Sequence, residues 1–432
     1  MQQDNALNPA IPVLTPRFHF VALILSFAAM TNAYSLPTDS PSVARQIIQH
    51  VDVKGLWQTS KAYFFEVAQI EPGAAVNQSV IDEAKERLMK TNLFDSVSPE
   101  LADAPDGTTL IFSVKEKLNL SVLPYDIRLS NSFYGGGLTF VDTNFLGSAK
   151  IFSIGQALSN NGPNGSIGYE DPFLLDRKAG FRAALEGGIT DRTEQDSENR
   201  TLDHFSYWYY TARVVLKYQP DQGTGVTLEL QQQNFQQTEG NGTVANRAVF
   251  TPAVSVVFDQ QVSRAYLRAG QWFGARYAHG FAEVGLDSYD AFQARWDSTF
   301  EEIGDTFIDI GAAGQWGNQN LLLVKPLTGK GFRTLSGKSY SNKNIGTFAE
   351  WDVPVHHFDW GAIGVGGFYE LGWYSTDTTV AQINSIFYGP GLGAYVYLRN
   401  SPLPAFHADF AYNQVARVWN FSLVLGPSLD SP

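Results

Sequence analysis

From about residue 118 to the end of the chain, apolar and polar residues alternate in segments separated by Gly, Asn, Asp and Pro. The clearest segment is Trp208–Tyr218, in which every second residue is aromatic or aliphatic and the residues between them include Thr211, Arg213 and Lys217. A period of two is typical of a β-strand with one apolar and one polar face. The pattern therefore predicts an extended antiparallel β-structure over this part of the chain.

The polar face of these segments carries charged residues at mid-strand, opposite a face rich in aromatic residues. This combination is typical of a transmembrane β-barrel, whose lumen is polar and whose outer face contacts lipid. A soluble β-sandwich is the alternative, because it also has one apolar and one wet face, but it normally has shorter strands and more Pro. Over residues 118–432 we predict a transmembrane antiparallel β-barrel of about 16 strands.

A different pattern occupies residues 47–117, where helical apolar spacing replaces strict alternation. Asn77 is a candidate N-cap for a helix with an apolar stripe, and Asp106–Gly107 is a strong signal for a tight turn between two strands. The segment is therefore predicted to be a small α+β domain of order β-α-α-β-β. Its predicted elements are Ile48–Gly55, Ser60–Ile70, Asn77–Thr91, Ser96–Leu101 and Thr109–Lys115.

The beginning of the chain contains a short apolar run, Phe20–Met30, which follows Arg17 and leads to small residues ending at Ala33. This order is typical of the core and cleavage site of a secretion signal. We predict a signal peptide over residues 1–33 and a linker over residues 34–46. The run has about half of the ~20 residues that a membrane-spanning helix needs, so an N-terminal anchor is the weaker alternative.

Composition narrows the possible functions. The chain has no Cys, which excludes disulfides, zinc-thiolate sites and Cys nucleophiles. A formal net charge of −13 argues against nucleic acid as a partner. There is no nucleophile elbow or Walker-type phosphate loop, and the adjacent His356 and His357 would point to opposite faces of a strand. We therefore predict a protein that is not an enzyme and uses no cofactor or metal.

Three motifs of the N-terminal domain resemble those of a known family. Glu71–Gly73, Ile81–Leu88 and Thr91–Val97 are similar to the POTRA pattern of the BamA/TamA-type outer-membrane insertases and transporters. The resemblance covers most of the chain after the signal peptide, and it implies a periplasmic POTRA domain before a barrel in the bacterial outer membrane. It also implies that an exposed sheet edge accepts an extended client segment by β-augmentation.

A second set of motifs lies at the start of the predicted barrel and resembles the first hairpins of the same family. Each member is also an ordinary turn or strand-end residue, because Asn and Gly tolerate unusual backbone dihedrals. The order of the whole set favours the resemblance. This first-hairpin motif follows Gly136–Leu138 and consists of Asp142, Asn144, Gly147, Asp171 and Pro172.

Thr328–Arg333 occupies the place of the family's Val-Arg-Gly-Phe/Tyr loop motif, which folds back into the lumen and pairs its Arg with a strand Asp. Here Lys330 stands at the Arg position and Glu370 replaces the Asp. The resemblance implies an ion pair between Lys330 and Glu370, with Arg333 as the competing donor, although Lys lacks the planar fork of Arg. An external loop cation in water is the alternative. The predicted lumen loop lock comprises Lys330, Gly331, Phe332, Arg333, Glu370 and Gly372.

The resemblance implies a non-enzymatic protein that inserts client proteins into the outer membrane or passes them across it. The expected partners are outer-membrane lipids and unfolded client proteins such as β-barrel precursors. A passive channel or surface barrel with a vestigial periplasmic domain is the alternative, because a single POTRA-like domain leaves little surface for accessory proteins. Few ladder hydrogen bonds between the strands near Leu138 and Leu423 would favour a gated seam, and a full ladder would favour a plain barrel.

Overall fold

A computed structural model describes residues 46–425 apart from several short gaps. The gaps are 106, 131–132, 175–177, 196–199, 222, 241–246, 265–266, 283–287, 302–305, 319–331, 336–337, 378–381 and 399–403. The predicted signal peptide, most of the predicted linker and two members of the loop lock, Lys330 and Gly331, lie outside the described residues. In the described part of the chain, no helix is both long enough and apolar enough to cross a membrane.

The N-terminal domain contains the predicted two helices and three main strands, together with an additional two-residue strand. Its elements are β1 (Gln46–Lys54), α1 (Lys61–Ala68), β2 (Ala75–Val76), α2 (Gln78–Lys90), β3 (Phe94–Ala104) and β4 (Gly107–Glu116). The sheet order is β2-β1-β4-β3, with β1 parallel to β4 and β3 antiparallel to it. Strand β2 was not predicted, because two residues are too few to produce a recognisable period.

Side-chain caps fix the start of each helix in this domain. The Ser60 hydroxyl accepts a hydrogen bond from Tyr63 N at 3.2 Å, and the predicted cap Asn77 accepts one from Val80 N at 3.0 Å. Each cap satisfies a backbone N–H that has no partner inside the helix. Helix α1 ends at Ala68, because the next residue, Gln69, has a left-handed φ of 53° that stops the helical path.

The core of the domain lies between the two helices and the sheet. The Phe64 ring of α1 lies edge-on to Phe94 and Phe112, with centroids 5.9 and 5.5 Å apart. On α2, Ile81 and Leu88 are buried one and three turns into the helix, on the stripe that faces this cluster. Each aromatic contact of this kind stabilises the fold by about 0.5–1.5 kcal/mol beyond the burial of its area.

The rest of the described chain forms a closed antiparallel barrel. Its strands are β5 (Leu120–Ser130), β6 (Tyr134–Phe145), β7 (Lys150–Ser159), β8 (Gly162–Leu174), β9 (Ala179–Gln195), β10 (Thr201–Tyr218), β11 (Thr224–Gly240), β12 (Arg247–Asp259), β13 (Val262–Arg264), β14 (Leu267–Ala282), β15 (Tyr289–Glu301), β16 (Phe307–Gly317), β17 (Lys343–Phe358), β18 (Gly361–Asp377), β19 (Gln382–Leu398), β20 (Pro404–Asn413) and β21 (Val418–Leu425). Strands β12 and β13 both pair with β14 in one unbroken register, so they are two parts of one strand. The barrel therefore has 16 strands, as predicted.

The two faces of the barrel differ in the way the alternation predicts. Along β10, Trp208, Tyr210 and Leu216 remain exposed on the outside, whereas Thr211 faces the lumen and is only 6% exposed. On the inside, Glu229 of β11 lies 3.3 Å from the Arg213 guanidinium of β10. An apolar outer face and a polar, paired inner face are the features of a barrel that sits in lipid. Closure of the sheet excludes the β-sandwich.

Candidate functional site

The Arg333 guanidinium, from the segment between β16 and β17, lies inside the barrel against side chains of four strands. Its Nε donates to Glu370 Oε1 at 3.1 Å, and its two terminal nitrogens donate to the two oxygens of Glu350 at 3.0 and 2.8 Å. One of these nitrogens also donates to the Tyr395 hydroxyl at 3.2 Å and to Asp409 Oδ1 at 3.4 Å. Only a planar guanidinium can contact β17, β18, β19 and β20 in this way.

Glu370 is fully buried and binds the loop backbone as well as the guanidinium. Its two oxygens accept hydrogen bonds from Arg333 N at 3.1 Å and from Thr334 N and Oγ1, both at 2.9 Å. The Thr334 carbonyl in turn accepts a hydrogen bond from Asn420 Nδ2 of β21 at 2.7 Å. The loop is therefore attached to the last strand of the barrel as well as to β18.

Aromatic side chains pack beneath these polar contacts. The Phe368 ring centroid lies 3.4 Å from the Arg333 Cζ, a cation–π geometry. Phe332 is buried and meets Phe387 edge-on, with centroids 5.0 Å apart. Gly372 leaves room for that ring, because a Cβ at this position would come within 2.6 Å of Phe387. The structure thus brings together four residues of the predicted lock: Phe332, Arg333, Glu370 and Gly372.

The predicted pair of Lys330 and Glu370 stays a prediction, because Lys330 lies outside the described residues. The competing donor, Arg333, is in contact with Glu370. Glu350 and Asp409 were not predicted as partners of this arginine. Alternation places both on the lumen face of their strands, but the distance across the lumen depends on how the barrel closes.

The described part of the same loop also contacts a strand on the other side of the barrel closure. The Tyr340 ring centroid lies 3.8 Å from the Arg192 Cζ of β9, and Gln195 N donates to Lys338 O at 3.2 Å. Arg192 is buried together with Glu194, whose Oε1 lies 2.9 Å from its Nη2. The loop therefore contacts both β9 and the group of strands from β17 to β21.

The barrel closes where the last strand, β21, meets the first strand, β5. Among the described residues, which exclude 131–132 and 426–432, four residue pairs form this seam, with Ser422–Leu425 opposite Ile127–Ser130. By contrast, β21 pairs with β20 over eight residue pairs. The expectation that Leu138 lies at the seam was wrong, because Leu138 belongs to β6 and Leu423 faces Leu129 of β5. Strand β5 was not predicted, because a bulge between Tyr125 and Arg128 interrupts the alternation of its apolar and polar residues.

Three residues of the first-hairpin motif connect the barrel to the N-terminal domain. Asn144, at the end of β6, is completely buried and donates from Nδ2 to Thr59 Oγ1 at 2.9 Å. Its Oδ1 accepts from Ala149 N, and its own N donates to Asp142 Oδ1, both at 2.9 Å. Asp142 Oδ1 also accepts from Gln58 Nε2 at 3.3 Å. The motif therefore shapes the β6–β7 turn and binds the loop before α1.

Backbone contacts complete this junction. Gly147 O accepts a hydrogen bond from Ser60 N at 2.9 Å, and the φ of Gly147 is +70°. A Cβ here would come within 2.5 Å of Gln58 O, so only glycine permits this approach. Glu116, at the end of β4, accepts from Gln58 N and Thr59 N, both at 2.9 Å. Glu116 and Thr59 were not predicted as part of this junction, because both are remote from the motif in the chain.

The other two motif residues, Asp171 and Pro172, lie apart from this junction on β8. Asp171 Oδ2 is 3.7 Å from Lys150 Nζ, at the start of β7. Within the described residues, no three His, Asp or Glu side chains are grouped so that they could hold a metal ion.

Comparison with known proteins supports this architecture in two ways. Residues 46–117 match the POTRA family, described as surface antigen variable number repeat. No curated protein matches the sequence. Among solved structures, BamA from Haemophilus ducreyi lacking POTRA domains 1–3 is similar with a TM-score of 0.65 and 13% identity, over 88% of this chain and 84% of that chain.

Two further structures show the same fold at low identity. CdiB from Acinetobacter baumannii has a TM-score of 0.57 and 13% identity, over 88% of this chain and 74% of that chain. CdiB from Escherichia coli has a TM-score of 0.52 and 11% identity, over 91% of this chain and 93% of that chain. The chain therefore shares its fold with these solved structures. This POTRA-barrel protein has a closed barrel with the apolar outer face that is typical of a barrel in lipid.

Proposed function

We propose that this POTRA-barrel protein assists the insertion of client proteins into the outer membrane, or their translocation across it, without catalysing a chemical reaction. The observation that carries the proposal is the short seam, where the described part of the chain has four residue pairs joining β21 to β5. A strand edge with few partners can accept a strand from another chain, because its N–H and C=O groups form the same ladder with either. Unfolded β-barrel precursors are clients with suitable strands.

In this proposal the lumen loop lock controls the seam from inside the barrel. Arg333 and Thr334 attach the loop to β17, β18 and β20, and the Thr334 carbonyl binds Asn420 of β21. Tyr340 of the same loop contacts Arg192 of β9, on the other side of the seam. Release of the loop would remove internal contacts from strands on both sides, so the pairs of Ser422–Leu425 with Ile127–Ser130 would separate more easily.

A pair of disulfide variants tests whether the seam must open. Leu423 pairs with Leu129 of β5 on one side and with Ala408 of β20 on the other. Because the chain has no Cys, Leu129→Cys with Leu423→Cys can lock the seam without competing thiols. Ala408→Cys with Leu423→Cys locks an internal strand pair and is the matched control.

Each variant would replace the wild-type protein in cells, and the abundance of folded outer-membrane proteins would be compared under oxidising and reducing conditions. We expect the seam disulfide to abolish client assembly and reduction to restore it, whereas the control should support assembly in both states. Full assembly with the seam locked would contradict the proposal. A steady, wide conductance of the purified protein, with normal assembly of other barrels after its depletion, would instead identify a passive channel.

A further inference from the structure

Two large apolar side chains stand exposed at the junction between the POTRA domain and the barrel. Trp57, in the loop before α1, is 64% exposed, and Leu146, in the β6–β7 turn, is 78% exposed. Trp is among the more buried residue types in folded proteins, so the exposure of Trp57 next to a second exposed apolar residue favours a contact with an apolar surface outside the chain. The two residues belong to different domains, yet both adjoin the same interface.

The contacts of their neighbours place the two residues at one end of the barrel wall. Trp57 precedes Gln58, whose side chain donates to Asp142 at the end of β6. Leu146 precedes Gly147, whose carbonyl accepts the hydrogen bond from Ser60 N. The loop that carries Trp57 and the β6–β7 turn that carries Leu146 are thus both held at the periplasmic rim, directly beside β5 and β6.

The outer face above this rim is apolar and faces lipid. Leu120 and Val122 of β5 and Phe140 of β6 are exposed on it. The Phe145 ring, adjacent to Leu146, stacks on Phe152 of β7 with centroids 5.0 Å apart. Exposed apolar residues of the barrel wall therefore extend to the β6–β7 turn that carries Leu146, close to the loop that carries Trp57.

The backbone of Leu146 gives an independent indication. Its φ is +58°, a left-handed conformation that Gly or Asn adopts at much lower cost than Leu. With most of its side chain exposed, contacts within the protein do little to compensate for this strain. An apolar contact outside the protein would compensate for it. Lipid is the apolar phase that already covers the neighbouring wall.

We propose that Trp57 and Leu146, the interfacial pair, insert into the periplasmic boundary of the outer membrane and hold the POTRA domain against the lipid surface. Indole rings favour this boundary, because the ring is apolar while its N–H can reach water or headgroups. The adjacent Lys150–Asp171 ion pair on the outer wall marks the polar level at which headgroups begin. This inference does not depend on the handling of client proteins.

Single-cysteine labelling can test the interfacial pair, because the chain has no Cys of its own. Trp57→Cys and Leu146→Cys would each be labelled with the polarity-sensitive fluorophore NBD in the full chain, in vesicles of phosphatidylcholine and phosphatidylglycerol. Leu101→Cys, on β3 of the POTRA domain, is the aqueous control, and Leu228→Cys, on the outer face of β11, is the lipid control. Lipids carrying a doxyl quencher near the headgroup or deep in the acyl chain report depth.

We expect labels at positions 57 and 146 to show blue-shifted emission and to be quenched several-fold more strongly by the shallow doxyl lipid than the label at Leu101. The Leu228 label should respond most strongly to the deep quencher. A label at position 57 or 146 that is quenched no more than the Leu101 label would overturn the proposal.

A label-free measurement covers the case in which a cysteine variant fails to fold. Trp57→Phe should reduce the quenching of total tryptophan fluorescence by lipids brominated close to the headgroup, and it should not change quenching by lipids brominated at the chain end. Unchanged quenching by both lipids would show that Trp57 lies in water and would also overturn the proposal.

Discussion

Two strand pairs of the same barrel differ sharply in how firmly they are joined. Strands β18 and β19 face each other over 17 residue pairs, whereas β21 and β5 share four among the residues that the structure describes. Each ladder hydrogen bond contributes roughly 0.5–1.5 kcal/mol, so the seam has far less intrinsic stability than the wall formed by β18 and β19. The loop that carries Arg333 attaches to both places, through Glu370 on β18 and Asn420 on β21. The strongly paired strand β18 therefore anchors the loop whose Thr334 carbonyl contacts Asn420 of the weakly paired strand β21.

Apolar and polar residues alternate as clearly along β21 as along β18. The sequence pattern therefore does not reveal the difference in the number of paired residues. Tyr369 and Leu371 face outward on β18, as Trp419 and Leu425 do on β21. The number of paired residues depends on the neighbouring strand. Strand β5 contains Pro124, which has no backbone N–H, and a bulge, and both features limit a regular ladder.

Removal of the Arg333 guanidinium should have the largest effect, because it breaks the connection between the two regions. Arg333→Ala leaves Glu350, Glu370 and Asp409 together in the lumen without their cation. We expect a loss of about 3–5 kcal/mol in the free energy of unfolding, measured with urea in detergent micelles, together with loss of client assembly.

Arg333→Lys is the matched control for this change. It restores the positive charge but cannot contact several strands through a planar fork, so it should recover only part of the lost stability. Wild-type stability and assembly in Arg333→Ala would show that the loop contact contributes nothing to either region.

A substitution that overpacks the lumen face of β18 should produce the next largest effect. In Gly372→Ala the added Cβ would lie 2.5 Å from Ile345 O and 2.6 Å from the Phe387 ring, which must move. We expect a destabilisation of about 1–3 kcal/mol, measured by the same urea titration. Gly367→Ala, on the same strand, is the control, because its nearest neighbour would be Leu392 at 3.9 Å. Equal effects of the two changes would contradict this account of Gly372.

Loss of the contact between the loop and the last strand should be milder and should act on the seam. Asn420→Ala removes the donor to the Thr334 carbonyl, worth about 0.5–1.5 kcal/mol. We expect faster amide hydrogen exchange in β21, with little change in β18 and β19. Ser422→Ala, on the same strand and the same face, is the control. An exchange pattern identical to that of the wild type would show that the contact between the loop and β21 does not stabilise the seam.

The smallest expected difference requires no substitution. Amides of Ser422–Leu425 should exchange with solvent faster than amides at the centre of β18 in the wild-type protein, because short ladders open locally at lower cost. Hydrogen exchange resolved by mass spectrometry would measure this in nanodiscs. Equal protection at both places would mean that pairing length does not set the local stability of this barrel.

Much of the fold could be predicted from the sequence because its signals are local. Asn77 was identified as a helix cap, and alternation gave the direction of Trp208 and Thr211 before any strand was paired. The two-residue strand β2 and the bulged strand β5 were not recognised, because neither has enough regular positions to show a period.

The candidate site divides in the same way. The sequence by itself determined that Glu370 faces the lumen and that a basic loop segment comes before its strand, because side-chain direction follows from residue spacing. Only the tertiary structure decided that Arg333 meets Glu350 and Asp409 as well, and that Asn144 meets Thr59. Those contacts join strands and domains far apart in the chain, and their distances are set by how the barrel closes and where the POTRA domain docks.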